Sequence, residues 1–211
     1  MIRFTTAVKN ARKNSLIVSD LPINSYKNEK DAVTNSLRLM EAGADAIKLE
    51  GGREMAGIIR SITESKIPVM GHLGLLPQTA EKYTVQGKTK ENAIQLIEDA
   101  KIITESGVFS IVLEMVSTQV AKIITEKISV PTIGIGSGKN CDGQVLVVHD
   151  MLGLFEKIKP KFAKRYLSLS EEIRNAVKSY VEEVKEEKFP AVENEFQMDE
   201  SEYNELRKEI V

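Results

Sequence analysis

The chain has 211 residues, and its 29 Lys and Arg side chains nearly balance 31 Asp and Glu side chains. This length corresponds to one α/β domain or two small ones, and one globular domain is the default expectation. The balanced charge argues against nucleic acid or an anionic membrane surface as a partner. A single cysteine, Cys141, excludes an internal disulfide and suits a reducing, cytoplasmic compartment. No apolar run reaches the ~18 residues of a membrane span.

The first 15 residues are basic and contain no acidic side chain, a composition that transit peptides share. An apolar segment begins directly after them, so we interpret them as the remnant of a surface helix. Six apolar runs follow and predict strands. In chain order they are LIVSDLP, AIKLEGG, PVMGHLG, SIVLEMV, PTIGIGSG and QVLVVHDM.

Segments with helical periodicity separate the first five runs. The first of them is predicted over residues 28–42, with Asn28 as its cap and Gly43 closing its C-terminal end. A later helix is predicted from about Ser170, its cap, to Lys185. Apolar runs that alternate with helices predict a parallel sheet covered by helices, either doubly wound or a TIM-type (β/α)8 barrel.

The barrel is favoured because polar residues lie at the C-terminal ends of the predicted strands, where barrel enzymes assemble their sites. These residues are Asp20, Lys48, Glu50, His72, Glu114, His149 and Asp150. Only six of eight strands are found, which predicts an α/β barrel truncated at its N-terminus to about six βα units. We expect one incomplete barrel domain over residues 1–211, with C-terminal helices from about 155 and a peripheral acidic tail from about 190.

Several of these polar residues have a structural interpretation beside a functional one. Lys48 and Glu50 point to the same side of a strand, and they either share a pocket or form a structural ion pair. Asp20 either caps a turn or binds a ligand, and His72, between glycines, either orients a substrate or is simply packed. The Gly-rich loop at residues 137–143 is either an anion site or a tight turn.

Glu114 is harder to explain structurally, because it lies inside an apolar run where an ionised carboxylate needs a partner, a metal or a raised pKa. A buried carboxylate suits proton abstraction next to a carbonyl. Together, Asp20, Glu50 and Glu114 offer hard oxygen ligands or a base without a Cys or His cluster, which favours Mg²⁺ over zinc. Such an ion would hold an α-keto acid and stabilise its enolate.

Several motifs in the right order resemble the ketopantoate hydroxymethyltransferase family. They are PVMGHLGLLPQT, KLEGG, VQGK, VLEMV, PTIGIGSGKNCDGQVLVVHDMLG, KPKFAKRY and FPAVENEF, and the likeness covers about residues 16–196. The resemblance implies a TIM-barrel transferase that uses Mg²⁺ and 5,10-methylenetetrahydrofolate. It would enolise 3-methyl-2-oxobutanoate and add a hydroxymethyl group to give 2-dehydropantoate, in pantothenate biosynthesis. The family forms decamers, which implies a homo-oligomer.

Carried over by motif, the resemblance assigns Asp20 to the metal and the substrate, and Lys48 to the keto acid. It assigns Glu50 to the metal, His72 to the substrate, and Glu114 to the role of catalytic base. The family's Gly-Asp-Ser motif, which supplies a metal ligand and a substrate contact, is absent from the sequence.

Two other readings remain open. One is a non-catalytic truncated relative or assembly partner of the same family. The other is a lyase of the phosphoenolpyruvate mutase type, which the absence of a Lys-Lys-Cys-Gly loop disfavours.

Overall fold

A computed structural model describes residues 1–210 and contains one parallel β-sheet of six strands in the order β1-β2-β3-β4-β5-β6. Each strand therefore pairs with its neighbours in the sequence, as in a barrel wall. The strands are β1 Val18–Asp20, β2 Ala46–Lys48, β3 Val69–Gly74, β4 Ser110–Glu114, β5 Thr132–Ile135 and β6 Gly143–Gln144. This is the predicted α/β, TIM-type fold with six βα units, and the prediction is confirmed.

Eight α-helices occur among the described residues. They are α1 Ile2–Ala11, α2 Glu29–Glu41, α3 Ala56–Glu64, α4 Lys90–Glu105, α5 Thr118–Lys127, α6 Val148–Met151, α7 Leu169–Lys185 and α8 Glu200–Ile210. Short 3-10 turns lie at Arg53–Met55 and Val192–Asn194. The expected helix at residues 28–42 is confirmed as α2, where the Asn28 side chain accepts a hydrogen bond from the Asp31 amide. None of the helices in residues 1–210 is both long and apolar enough to cross a membrane.

The sixth strand differs from the prediction. It consists of Gly143–Gln144, paired with Ile133 and Gly134, whereas most of the run QVLVVHDM lies beyond it. Residues 148–151 are instead helical, closed by local hydrogen bonds such as Met151 N to Val147 O at 3.0 Å. Valine-rich segments form strands where they can pack on a half-buried sheet surface. Here the segment forms local backbone hydrogen bonds, and a short helix results.

The N-cap of α7 also differs from the prediction. Ser168 occupies that position, and Ser170 lies in the first turn of the helix. The apolar stripe expected on α7 is present in the sequence, but no residue of this helix is buried.

The core lies between the sheet and the helices that cover one of its faces. Ile47 and Leu49, around the end of β2, and Ile111 and Leu113 on β4 are fully buried in it. They pack in one cluster with apolar side chains of α2 to α5, including Leu39, Ile59, Ile62, Ile103 and Ile124. Because neighbouring residues of a strand face opposite sides, the even-numbered positions between them face away from these helices. That second face carries the polar residues.

Two compact units can be distinguished. The first comprises residues 1–146 and 161–163 and contains the whole sheet with α1 to α5. The second comprises residues 147–160 and 164–210 and contains α6 to α8. An ion pair between Arg174 and Glu156, at 2.6 Å, joins two segments of the second unit. The single-domain description of the chain stays a prediction.

A candidate active site at the C-terminal ends of the strands

Four polar side chains from four successive strands face the same side of the sheet. The register pairs Asp20 with Lys48 and places His72 and Glu114 on the next two strands. All four lie on the face opposite the helices, because they alternate with residues of the apolar cluster. Parallel strands end at the same edge of a sheet, so the fold itself brings these residues together.

The four side chains form a continuous row of polar contacts. Lys48 Nζ lies 3.2 Å from Asp20 Oδ1 and 3.3 Å from His72 Nδ1. His72 Nε2 lies 3.4 Å from Glu114 Oε2. The side chains of Lys48, His72 and Glu114 are 16%, 4% and 14% exposed, whereas that of Asp20 is 42% exposed. The row therefore runs from a partly open carboxylate to a largely buried one.

The sequence GHLG, residues 71–74, shapes this part of the site. Gly71 allows α4 to approach, because a Cβ atom there would lie 2.8 Å from Ile103 Cδ1. Gly74 has a φ of +97°, which favours glycine, and a Cβ atom there would lie 2.2 Å from the Glu114 carbonyl oxygen. After this turn the Leu75 carbonyl oxygen lies 2.9 Å from His72 Nε2, and the Leu75 amide donates to Glu114 O at 2.8 Å. The turn thus fixes the His72 ring beside Glu114.

Glu50 is the most buried carboxylate among the predicted site residues, with 6% of the residue exposed. Its Oε2 accepts a hydrogen bond from the Gln78 amide at 3.1 Å. The Gln78 side chain in turn donates from Nε2 to Leu21 O at 3.1 Å, so it ties the loop after β3 to the end of β1. Lys48 and Glu50 therefore have different partners, and the structural ion pair of Lys48 is formed with Asp20.

Tyr26 lies close to the same carboxylates and was not singled out from the sequence. Burial raises the pKa of its phenol, and the negative charges of Glu50 and Asp20 act in the same direction. Beside it is a cleft of about 240 Å³ whose lining includes Asn24, Tyr26, Glu50, Met55, Leu76 and Thr79.

The carboxylates fit a magnesium ion in kind. Mg²⁺ commonly takes one or two carboxylates from a protein and completes its six oxygen ligands with water and substrate. Asp20 and Glu50 can supply those two. Within residues 1–210 no three His, Cys, Asp or Glu side chains cluster closely enough to hold a metal ion by themselves. The assignments of Asp20 and Glu50 to a metal, and of Glu114 to proton abstraction, stay predictions.

Three further residues are not part of a strand: two belong to a helix, and one belongs to the loop that follows β5. His149 and Asp150 belong to α6, in the second compact unit, and not to a strand end. Ser137, in the Gly-rich loop, is fully buried. Its hydroxyl donates to Leu113 O at 2.7 Å and accepts from the Val116 amide at 3.0 Å. These bonds support the tight-turn interpretation of the loop.

Fold and site together define a class of protein: a TIM-type barrel whose strand ends present carboxylates, a lysine and a histidine on one face. A family profile for ketopantoate hydroxymethyltransferase matches residues 1–192. The chain belongs to the ketopantoate hydroxymethyltransferase family. The resemblance noted in the motifs is thereby confirmed.

Similar proteins agree with this assignment. The chain is 58% identical to a 3-methyl-2-oxobutanoate hydroxymethyltransferase of Nitrosopumilus maritimus, over all of this chain and 77% of that protein. It is 55% identical to the protein of the same name from Cenarchaeum symbiosum, over 94% of this chain and 78% of that one. The chain therefore spans about three quarters of their length.

The chain also resembles a solved structure of very different sequence. This is a putative phosphonomutase from Burkholderia cenocepacia, with a TM-score of 0.52 and 12% identity. The likeness covers 64% of this chain and 58% of that one. At this identity the likeness supports the fold alone.

Proposed function

We propose that the chain transfers a hydroxymethyl group from 5,10-methylenetetrahydrofolate to 3-methyl-2-oxobutanoate, giving 2-dehydropantoate. Family membership and the names of its relatives support the reaction. The observation that carries the residue assignments is the row of contacts from Asp20 through Lys48 and His72 to Glu114. It brings a lysine ammonium group and a buried carboxylate into one polar site, which supports assigning them to the keto acid and to proton removal.

In this proposal Glu114 removes the C3 proton of the keto acid. The C–H bond breaks, the proton passes to the carboxylate, and the electron pair forms the enolate. Glu114 suits this task because it is largely buried, so water competes weakly for its carboxylate. The enolate carbon then forms a C–C bond with the folate-borne methylene carbon, and both methylene–nitrogen bonds of the folate are broken. Water supplies the hydroxyl group, and the two released nitrogens take up one proton from water and the C3 proton held by Glu114.

Lys48 and Asp20 have the binding roles. The Lys48 ammonium would orient the anionic keto acid by direct charge attraction, which holds the C3–H bond in reach of the base. Asp20 and Glu50 would hold Mg²⁺. The ion, when bound, supplies Lewis-acid stabilisation of the enolate charge.

Deuterium exchange tests this assignment without the folate. The chain is mixed with Mg²⁺ and 3-methyl-2-oxobutanoate in deuterated water, and loss of the C3 proton signal is followed by NMR. Glu114→Gln removes the base while keeping the shape, so exchange should fall by about 10²–10⁴-fold. Glu126→Gln, on the outer surface with its side chain 57% exposed, is the matched control and should match the unchanged chain.

Two results would contradict the proposal. One is equal exchange by Glu114→Gln and the unchanged chain, which would remove Glu114 from the chemistry. The other is no exchange by the chain or by a version extended at its N-terminus with the family's Gly-Asp-Ser segment. That result would favour the alternative of a non-catalytic relative or assembly partner.

We further propose that the chain acts in the cytoplasm as a homo-oligomer. Its single cysteine and the biosynthetic role of its relatives support the compartment. Light scattering coupled to size-exclusion chromatography would test the oligomeric state, since a monomer has a mass of 23.5 kDa.

A further inference from the structure

We propose that His72 is a positioning residue whose neutral ring, with its proton on Nε2, holds Lys48 and Glu114 in fixed orientations. The inference rests on the proposed function for its catalytic meaning, because it assigns Lys48 to the keto acid and Glu114 to proton abstraction. The tautomer itself follows from hydrogen-bonding geometry alone.

The contact with Lys48 decides where the proton lies. Lys48 Nζ is 3.3 Å from His72 Nδ1, and an ammonium group can only donate hydrogen bonds. His72 Nδ1 must therefore accept and carry no proton. Protonating it would place an N–H group and a second positive charge against the ammonium.

The contacts on the other side of the ring require a donor. His72 Nε2 lies 2.9 Å from Leu75 O and 3.4 Å from Glu114 Oε2, and both of these oxygens are acceptors. Nε2 must therefore carry the proton, which it shares between a short bond to the carbonyl and a longer contact with the carboxylate. One neutral tautomer satisfies all three neighbours at once.

Burial restrains the His72 ring and keeps its nitrogens out of direct contact with a substrate. The His72 side chain is only 4% exposed, and both of its nitrogens face protein groups. A substrate would have to displace Lys48, Leu75 or Glu114 to reach a ring nitrogen. His72 therefore acts through its two neighbours. The direct substrate contact expected from the sequence stays a prediction.

The two ring nitrogens have separate consequences. The acceptor at Nδ1 fixes the Lys48 ammonium between His72 and Asp20, which orients the group assigned to substrate binding. The N–H group at Nε2 faces the Glu114 carboxylate across 3.4 Å and restrains its orientation. Loss of the first contact should weaken binding, whereas loss of the second should slow proton transfer.

Nitrogen NMR can read the tautomer directly. The chain has two histidines, so His149→Gln in a ¹⁵N-histidine-labelled sample leaves the His72 signals alone. A long-range proton–nitrogen correlation spectrum near pH 8 should show a protonated Nε2 and an unprotonated Nδ1. A ring protonated on Nδ1, or on both nitrogens, would overturn the inference.

Two amide substitutions separate the two contacts kinetically. His72→Asn keeps an acceptor at the Nδ1 position and loses the donor to Glu114, so kcat for deuterium exchange should fall about 10–100-fold with KM nearly unchanged. His72→Gln keeps a donor at the Nε2 position and loses the acceptor for Lys48. It should raise KM several-fold and retain most of kcat. A role in structure alone would give no such split between kcat and KM.

Failure of this inference differs from failure of the proposed function. Exchange by the unchanged chain with identical kcat and KM in the two variants would refute positioning by His72, yet leave the reaction intact. Absence of exchange from both the unchanged chain and its N-terminally extended version would refute the proposed function. In that case the NMR spectrum alone decides the inference: a proton on Nε2 upholds it, and any other state refutes it.

Discussion

Gly74 is the position where one methyl group should damage both the fold and the site. Its φ of +97° is strained for any residue with a Cβ atom. In Gly74→Ala that atom would lie 2.2 Å from the Glu114 carbonyl oxygen and 2.6 Å from Val116 Cγ2. The closest contact is with backbone, which cannot rotate away as a side chain can, so β3 and β4 must separate locally.

The magnitude follows from three costs. Placing alanine at positive φ costs about 1–2 kcal/mol. Forcing a methyl group into a packed interior costs about 1–3 kcal/mol. Separating the strands also weakens the bond from Leu75 N to Glu114 O, now 2.8 Å, which contributes about 0.5–1.5 kcal/mol. The free energy of unfolding should therefore fall by about 2.5–6.5 kcal/mol, a large part of the ~5–15 kcal/mol of a typical domain.

The assay is urea unfolding followed by circular dichroism at the helix band, because the chain has no tryptophan to report by fluorescence. Gly57→Ala is the matched control. Gly57 lies in α3, and a Cβ atom there would meet only the end of the flexible Glu29 side chain, at 3.3 Å. It should be neutral or stabilise by up to ~1 kcal/mol, because alanine favours a helix. Equal urea midpoints for the two variants would refute this account of the GHLG turn.

Three further predictions concern the same unit. Burial raises the pKa of Tyr26, so above about pH 10 the folded state keeps a proton that the unfolded state loses. The free energy of unfolding therefore falls as pH rises in that range. The urea midpoint of Tyr26→Phe should decline less steeply there than that of the unchanged chain. Arg53→Met should lower the urea midpoint, because it leaves the Asp99 carboxylate without its cation. This carboxylate is 9% exposed and lies 2.5 Å from Arg53 Nε. Adding Asp99→Leu should restore part of the lost stability. Burial also raises the pKa of the Cys141 thiol, so a disulfide reagent near pH 8 should modify it more slowly than it modifies a free thiol; equal rates would contradict its burial.

Strand and helix periodicity predicted most of the sheet, and four of the six apolar runs contribute buried side chains to the core beneath the helices. The strand prediction for the run QVLVVHDM was wrong in most of its length, because valine has a high strand propensity whatever its surroundings. In the structure they are about half exposed, and local hydrogen bonds form α6 instead. A sequence gives the propensity of such a segment, whereas tertiary packing decides whether a neighbouring strand receives it.

The polar residues of the site were predictable where their type differs from the apolar or glycine residues around them in the same strand. Glu114 and Lys48 interrupt apolar runs, and His72 lies between glycines. Gln78 and Tyr26 gave no such signal, because both lie in polar loops where such residues are common. Their importance arises from long-range contacts: Gln78 reaches Glu50 and Leu21, which are far away in the sequence.

The two faces of the sheet explain why chemistry and stability can be separated in this fold. Odd-numbered positions such as Ile111 and Leu113 pack against the helices, and they form a core that would tolerate no charge. The alternating positions, Glu114 among them, lie on the other face, where parallel register brings one polar side chain per strand into a row. Burying such a row is costly unless its members satisfy one another. The contacts that satisfy the buried groups of this row therefore also fix the orientations of Lys48 and Glu114.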